Sequence, residues 1–192
     1  MSPFLPTLVT VTLVEIGSTN AQFSASLRSR GAETTSILRA LGFITAGVMA
    51  LVVAGGWALA ATEHMNTRVV TLLLGMSLIW ASIGQFRIIK PVAEVEGQDS
   101  NIIALRGFAR LALTGSAGFL VFAIGVYSGA GIDAFIGAAL GGWMGVMVTN
   151  LPPVVLNRHQ TRKLHVAGLR TVAGIVLAVA GFLYALTALR LI

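Results

Sequence analysis

Six stretches of this sequence are too apolar and too long for the surface of a water-soluble fold. They are Phe4–Leu27, Ile37–Ala61, Val69–Ile89, Gly107–Ser128, Ile132–Leu156 and Val166–Leu189. Each holds roughly the 20 residues that carry an α-helix across about 30 Å of hydrocarbon. None alternates with the period of two that a barrel strand needs, and a helix satisfies its backbone polar groups within its own segment. The predicted fold is all-α, an integral membrane protein of six transmembrane helices. Composition agrees: 56% of the 192 residues are hydrophobic and only 10% are charged, against about 25% charged in a soluble domain. So few charges could not cover a soluble fold of this size. The chain has no cysteine, which excludes a disulfide frame, a thiolate metal site and a cysteine nucleophile.

The formal net charge of +6 does not mark a nucleic-acid binder, because the basic residues sit in the short gaps between apolar runs. Arg28, Arg30 and Arg39 flank the first gap. Arg87, Lys90, Arg106 and Arg110 flank the third, and Arg158, Arg162, Lys163 and Arg170 the fifth. Eleven of the 13 Lys and Arg residues thus fall on one side, leaving Arg68 and Arg190 for the other. By the positive-inside rule the odd loops are cytoplasmic and both termini lie outside. A multi-pass protein of a cell membrane, of the bacterial inner-membrane type, is the expectation. No cationic region precedes the first run, so no cleavable signal peptide is expected.

The two halves resemble each other. Leu13–Ser18 reads Leu-Val-Glu-Ile-Gly-Ser, and Leu111–Ser116 reads Leu-Ala-Leu-Thr-Gly-Ser, placing Gly17 and Gly115 98 residues apart. Ala40-Leu41-Gly42 recurs as Ala139-Leu140-Gly141, 99 residues on, and Arg68-Val69-Val70 as Arg170-Thr171-Val172, 102 residues on. Near-constant offsets in three corresponding helices indicate a duplication. An odd number of helices per half forces the second half into the opposite membrane orientation. That is the inverted repeat of secondary transporters, whose sites lie near the midplane where the repeats meet. The expected organisation is a first three-helix repeat over 1–90, a cytoplasmic acidic linker over 91–101 and a second repeat over 102–192. The linker holds Glu94, Glu96 and Asp99 and reads as a solvated connection, with a cation-gathering patch as the alternative.

Within hydrocarbon the sequence places one acid, Glu15. A carboxylate there costs several kcal/mol unless it is paired, hydrated or protonated, so it marks a functional site by default. On helical spacing its neighbours are Thr12, Ser18 and Thr19, and Asn20 and Gln22 extend the polar run. If Gly17 and Gly115 break their helices, half-helix ends and free carbonyls meet at the centre. Thr114 and Ser116, with Thr149 and Asn150, would then contribute from the opposite repeat. Together these groups suit a monovalent cation, a protonatable carboxyl or a polar organic solute.

The layout resembles the Gdt-type cation/proton antiporters, the manganese/calcium exchangers within the lysine-exporter superfamily. That family carries Glu, an apolar residue, Gly-Asp-Lys and Ser or Thr in the first helix of each half. Here the first copy reads Glu15-Ile16-Gly17-Ser18-Thr19-Asn20. The run from Leu140 to Pro152, ending Thr149-Asn150-Leu151-Pro152, is similar to the family's glycine-rich fifth helix. The resemblance implies a secondary transporter with Glu15 as metal ligand, no cofactor, and exchange of manganese or calcium against protons. The chain departs from the pattern where it matters: Ser18 and Thr19 stand for Asp and Lys, and the second copy, Leu113-Thr114-Gly115-Ser116, keeps only the glycine. A hard divalent ion prefers several anionic oxygens, and one carboxylate among hydroxyls and amides is a poor site for it.

The leading expectation is therefore a cation/proton exchanger with a reduced ion site. Its partners are the lipid bilayer, a small cation or solute and protons, with no nucleic acid. The alternatives are an exporter of another small solute and a transport-inactive subunit of another membrane protein. Gly137, Gly141 and Gly145 form a small-residue stripe that packs a helix within the fold or supports a homodimer. Pro152-Pro153 is expected to end or kink the fifth helix. Trp57, Trp80 and Trp143, with Tyr127 and Tyr184, read as interface anchors or core fillers. His64, His159 and His165 lie in or beside loops without metal-ligand spacing. No Ser-His-Asp set, phosphate loop or pair of intramembrane carboxylates appears, so an enzyme is not expected.

Overall fold

The computed structural model describes residues 2–60, 66–86, 100–129, 131–156 and 166–190. The described residues form helices and no strands. In chain order they are α1 (Phe4–Glu15), α2 (Thr19–Ser29), α3 (Thr34–Ala60), α4 (Thr67–Phe86), α5 (Ser100–Thr114), α6 (Ala117–Tyr127), α7 (Ile132–Val155) and α8 (Val166–Leu189). The acidic residues of the expected linker and the three histidines lie outside the described residues, and α5 begins at Ser100.

Four helices are long and apolar enough to cross a membrane, α3, α4, α7 and α8, and five such spans result if α5 and α6 form one bent span. Their outward faces are apolar: Leu51, Trp57, Met76, Trp80 and Phe182 are all more than half exposed. A water-soluble monomer rarely shows apolar area on this scale, and a multi-pass membrane protein requires it. Among the described residues, two of the six expected spans are each divided into two helices. The first expected span is two helices, and the second of them, Thr-Asn-Ala-Gln-Phe-Ser-Ala-Ser-Leu-Arg-Ser, is too polar to lie in lipid unshielded. The fourth is also two helices, which meet at a 47° bend.

The glycines set how the helices stack. α1 runs parallel to α7, with Pro3 beside Gly137, Phe4 beside Gly141 and Val11 beside Gly145. A Cβ at Gly141 would strike the Phe4 carbonyl. The small-residue stripe is thus filled by α1 from within the same chain. α3 lies antiparallel to α7, matching Gly42 with Met147, Met49 with Gly142 and Gly56 with Phe135. α4 lies antiparallel to α8, where a Cβ at Gly75 would stand 2.8 Å from the Gly181 oxygen. α6 runs beside α3, with Gly118 at Val48 and Phe122 at Gly55.

One apolar cluster gathers Val11, Phe23, Ile37, Leu41, Phe108 and Val146 around α3 and α7. A second joins Val14 to Leu74, Leu78, Leu120 and Leu177, drawn from α4, α6 and α8. Glu15 follows Val14 directly, so the second cluster borders the polar break. Pro152 and Pro153 lie inside the last turn of α7. The helix continues three residues past Pro152 and stops at Val155, where the Leu156 N–H donates to the Pro152 carbonyl over 2.8 Å. A proline loses only its own amide donor and acts on the carbonyl one turn back, so its own carbonyl can still cap the helix.

Candidate functional site

The site is built on the break between α1 and α2. Gly17 has φ +60°, a left-handed conformation that glycine enters without Cβ strain. Ser18 is extended and caps α2 through its side-chain oxygen, which accepts from the Ala21 N–H. The break brings the first residues of α2 within reach of the end of α1. The Ser18 hydroxyl donates to Glu15 Oε2 over 2.7 Å, and Asn20 Nδ2 donates to the same oxygen over 3.1 Å. Glu15 is 4% exposed and is the only buried acid among the described residues.

Thr19 opens α2 half-buried and is not a partner of Glu15. Helical spacing favoured it, four residues on. A continuous helix would carry residue i+5 well around to another face, yet the break brings Asn20 into contact instead. Asn150 is fully buried but meets α2 one turn further along: Ser24 donates to Asn150 Oδ1 over 3.2 Å, and Asn150 Nδ2 donates to the Val146 carbonyl over 2.8 Å. Thr149 turns its hydroxyl back to the Gly145 carbonyl of its own helix, at 2.9 Å.

The second break, at Gly115 and Ser116, has a different geometry. Gly115 does not adopt a positive φ and is exposed. Ser116 precedes α6 without a side-chain capping bond, and it forms no hydrogen bond with Glu15, Ser18 or Asn20. The Thr114 side chain lies outside the described residues.

Two residues that sequence reasoning passed over hold the first break in place. Gln85, buried near the end of α4, donates to the Val14 carbonyl, which α1 leaves free by stopping at Glu15. Arg170, in the second turn of α8, donates through Nε to Gln85 Oε1 over 3.4 Å and through Nη2 to the Gly84 carbonyl over 3.3 Å. A Cβ at Gly17 would stand 2.5 Å from Val166 Cγ1 and 2.8 Å from Arg170 Cδ. The glycine therefore serves conformation and close approach at once. A usable signal for Gln85 existed, since it is an amide within an otherwise apolar span.

Every buried side-chain polar atom among the described residues has a hydrogen-bond partner. The described residues contain no group of three or more His, Cys, Asp or Glu side chains that could hold a metal. The donor set at Glu15 is one carboxylate, one hydroxyl and one amide. That suits a proton or a monovalent cation. It falls short of the six to eight oxygens a calcium ion takes. In comparisons with known proteins, no family model, no curated protein and no solved structure matches the chain.

Proposed function

We propose that this chain is a secondary transporter that exchanges a small monovalent cation against protons, with Glu15 as the coupling carboxylate. The observation that carries the reading is a buried acid at a helix break, joined to neighbouring elements through Gln85, Arg170 and Asn150. Broken helices around a central polar site are how secondary transporters expose carbonyls and half-helix ends to a cargo. Glu15 takes the proton or the cation, Ser18 and Asn20 supply neutral ligands, and Thr19 stands next to them on α2.

An inverted repeat of six passes, with the Gdt-type layout, accounts for the directions of the helices. The second helices of the two halves, α3 and α7, are antiparallel, and so are the third helices, α4 and α8. The first, broken span of each half runs parallel to the second helix of the other, through α1 beside α7 and through α6 beside α3. A two-fold axis in the membrane plane generates this set of directions. The unequal breaks at Gly17 and Gly115 support a working site in the first repeat alone.

The test is cation-driven proton movement in everted vesicles, followed with a pH-sensitive dye across sodium, potassium, manganese and calcium. Sodium or potassium should collapse a preset pH gradient in wild type and fail to do so in Glu15→Gln. Manganese and calcium should be inert. A second reading, a transport-inactive membrane subunit, draws on one observation: both donors to Glu15 come from its own segment, as in a local structural cap. It predicts that Glu15→Gln changes stability and moves no ion signal.

A further inference from the structure

A groove of about 840 Å³ opens on the outer face of the bundle where α3, α5 and α7 meet, away from the Glu15 break. Its wall is apolar along most of its length, formed by Phe43, Leu105, Trp143 and Met147. One end is polar: Ser36 and Arg39 stand there, one helical turn apart on the same face of α3. Gly42 forms the floor, and Trp143 Nε1 donates to the Gly42 carbonyl over 3.1 Å, which fixes the indole as a side wall.

We infer that this groove binds an anionic diacyl phospholipid, with its phosphate on Arg39 and Ser36 and one acyl chain along the apolar wall. Arg39 is the sixth residue of a helix long enough to span a bilayer. At 1.5 Å per residue it sits roughly 7–8 Å from the helix start, the depth of the headgroup and glycerol region beside a hydrocarbon core of about 30 Å. It is exposed and has no ion-pair or hydrogen-bond partner among the described residues. A cation at that depth calls for an anion, and an arginine fork matches a phosphate through paired N–H donors. Phe43, one turn deeper and 76% exposed, and Met147 across the floor then meet an acyl chain, for which an aromatic face and a flexible thioether are suitable contacts. The inference rests on the chain lying in a bilayer and is independent of transport.

The experiment is native mass spectrometry of the purified chain in detergent micelles with equal phosphatidylglycerol and phosphatidylcholine. Wild type should retain phosphatidylglycerol in preference by roughly fivefold, because the choline cation of phosphatidylcholine offsets the charge of its own phosphate beside the exposed Arg39. Arg39→Gln should abolish the preference. Gly42→Leu should lower occupancy by both lipids, because its new side chain fills the floor. The nearest atom to a Cβ there is 3.7 Å away, an ordinary contact, and the melting temperature of the variant, read beside its lipid occupancy, separates a filled groove from a disturbed α3–α7 seam. Equal retention of the two lipids by wild type, or an unchanged preference in Arg39→Gln, overturns the inference. So does a second copy of the chain in place of lipid, seen as a dimer mass that Gly42→Leu halves.

Discussion

Replacing Gly17 by alanine tests whether the break between α1 and α2 is a built feature or a loose joint. Two costs add at this position. The first is conformational, since an L-residue at φ +60° pays about 1–2 kcal/mol in the left-handed region. The second is steric: the new Cβ would stand 2.5 Å from Val166 and 2.8 Å from Arg170, and overpacking a filled site costs about 1–3 kcal/mol. The expected loss is roughly 2–5 kcal/mol. Gly31 separates the two terms, because its φ is +87° but nothing lies within 4 Å of its Cβ position. Gly31→Ala should lose only the conformational part, about 1–2 kcal/mol. Equilibrium unfolding in mixed detergent and SDS micelles, followed by tryptophan fluorescence, measures both. If the two variants lose the same stability, α8 does not pack on the break and the site as described is wrong. Gly115→Ala should cost less than Gly17→Ala, since Gly115 needs no positive φ and the nearest atom to its Cβ is the Leu111 carbonyl oxygen at 3.0 Å.

Gly75→Ala should force α4 from α8, because its Cβ meets the Ala185 nitrogen and Gly181 oxygen at 2.8 Å. A loss of about 1–3 kcal/mol is expected in the same unfolding assay, while Gly47→Ala, with open space around it, should be neutral or mildly stabilising. Ser24→Ala leaves the buried Asn150 oxygen without its donor and should cost about 1–3 kcal/mol; a double-mutant cycle with Asn150→Ala should give a coupling of about 0.5–3 kcal/mol. Gln85→Leu strips the partner from the Val14 carbonyl. It should lower stability by about 1–3 kcal/mol and slow proton movement in the vesicle assay, whereas equal rates would show that Gln85 does not hold the site.

The helical class and four spans were legible from hydropathy alone, because a long apolar run has one stable form in lipid. The eighth helix starts and ends at the residues expected of the sixth segment, Val166 and Leu189, and α7 falls one residue short of Leu156. Glu15 was legible as a lone acid in an apolar stretch. Its first partner, Ser18, followed from spacing, but Asn20 did not, since reaching it depends on a left-handed glycine that no periodicity encodes. Gln85 and Arg170 were missed as partners for a related reason. They are 70 or more residues from Val14 and Glu15 in sequence, and only the antiparallel packing of α4 on α8 at Gly75 and Gly181 brings them together. The two breaks differ at Gly115, where the glycine recurs without the carboxylate, as the sequence already shows, and without the left-handed turn of Gly17, which it does not.

The proposed exchange requires that this chain move protons by itself through Glu15. The most direct measurement is the purified protein reconstituted alone in liposomes with a pH dye trapped inside, challenged with an outward sodium or potassium gradient. Exchange through Glu15 should give a lumenal pH change that requires one of these ions and is lost in Glu15→Gln, with Glu15→Gln inserted and folded like wild type. No ion-dependent pH change in wild type, or an undiminished one in Glu15→Gln, would contradict it.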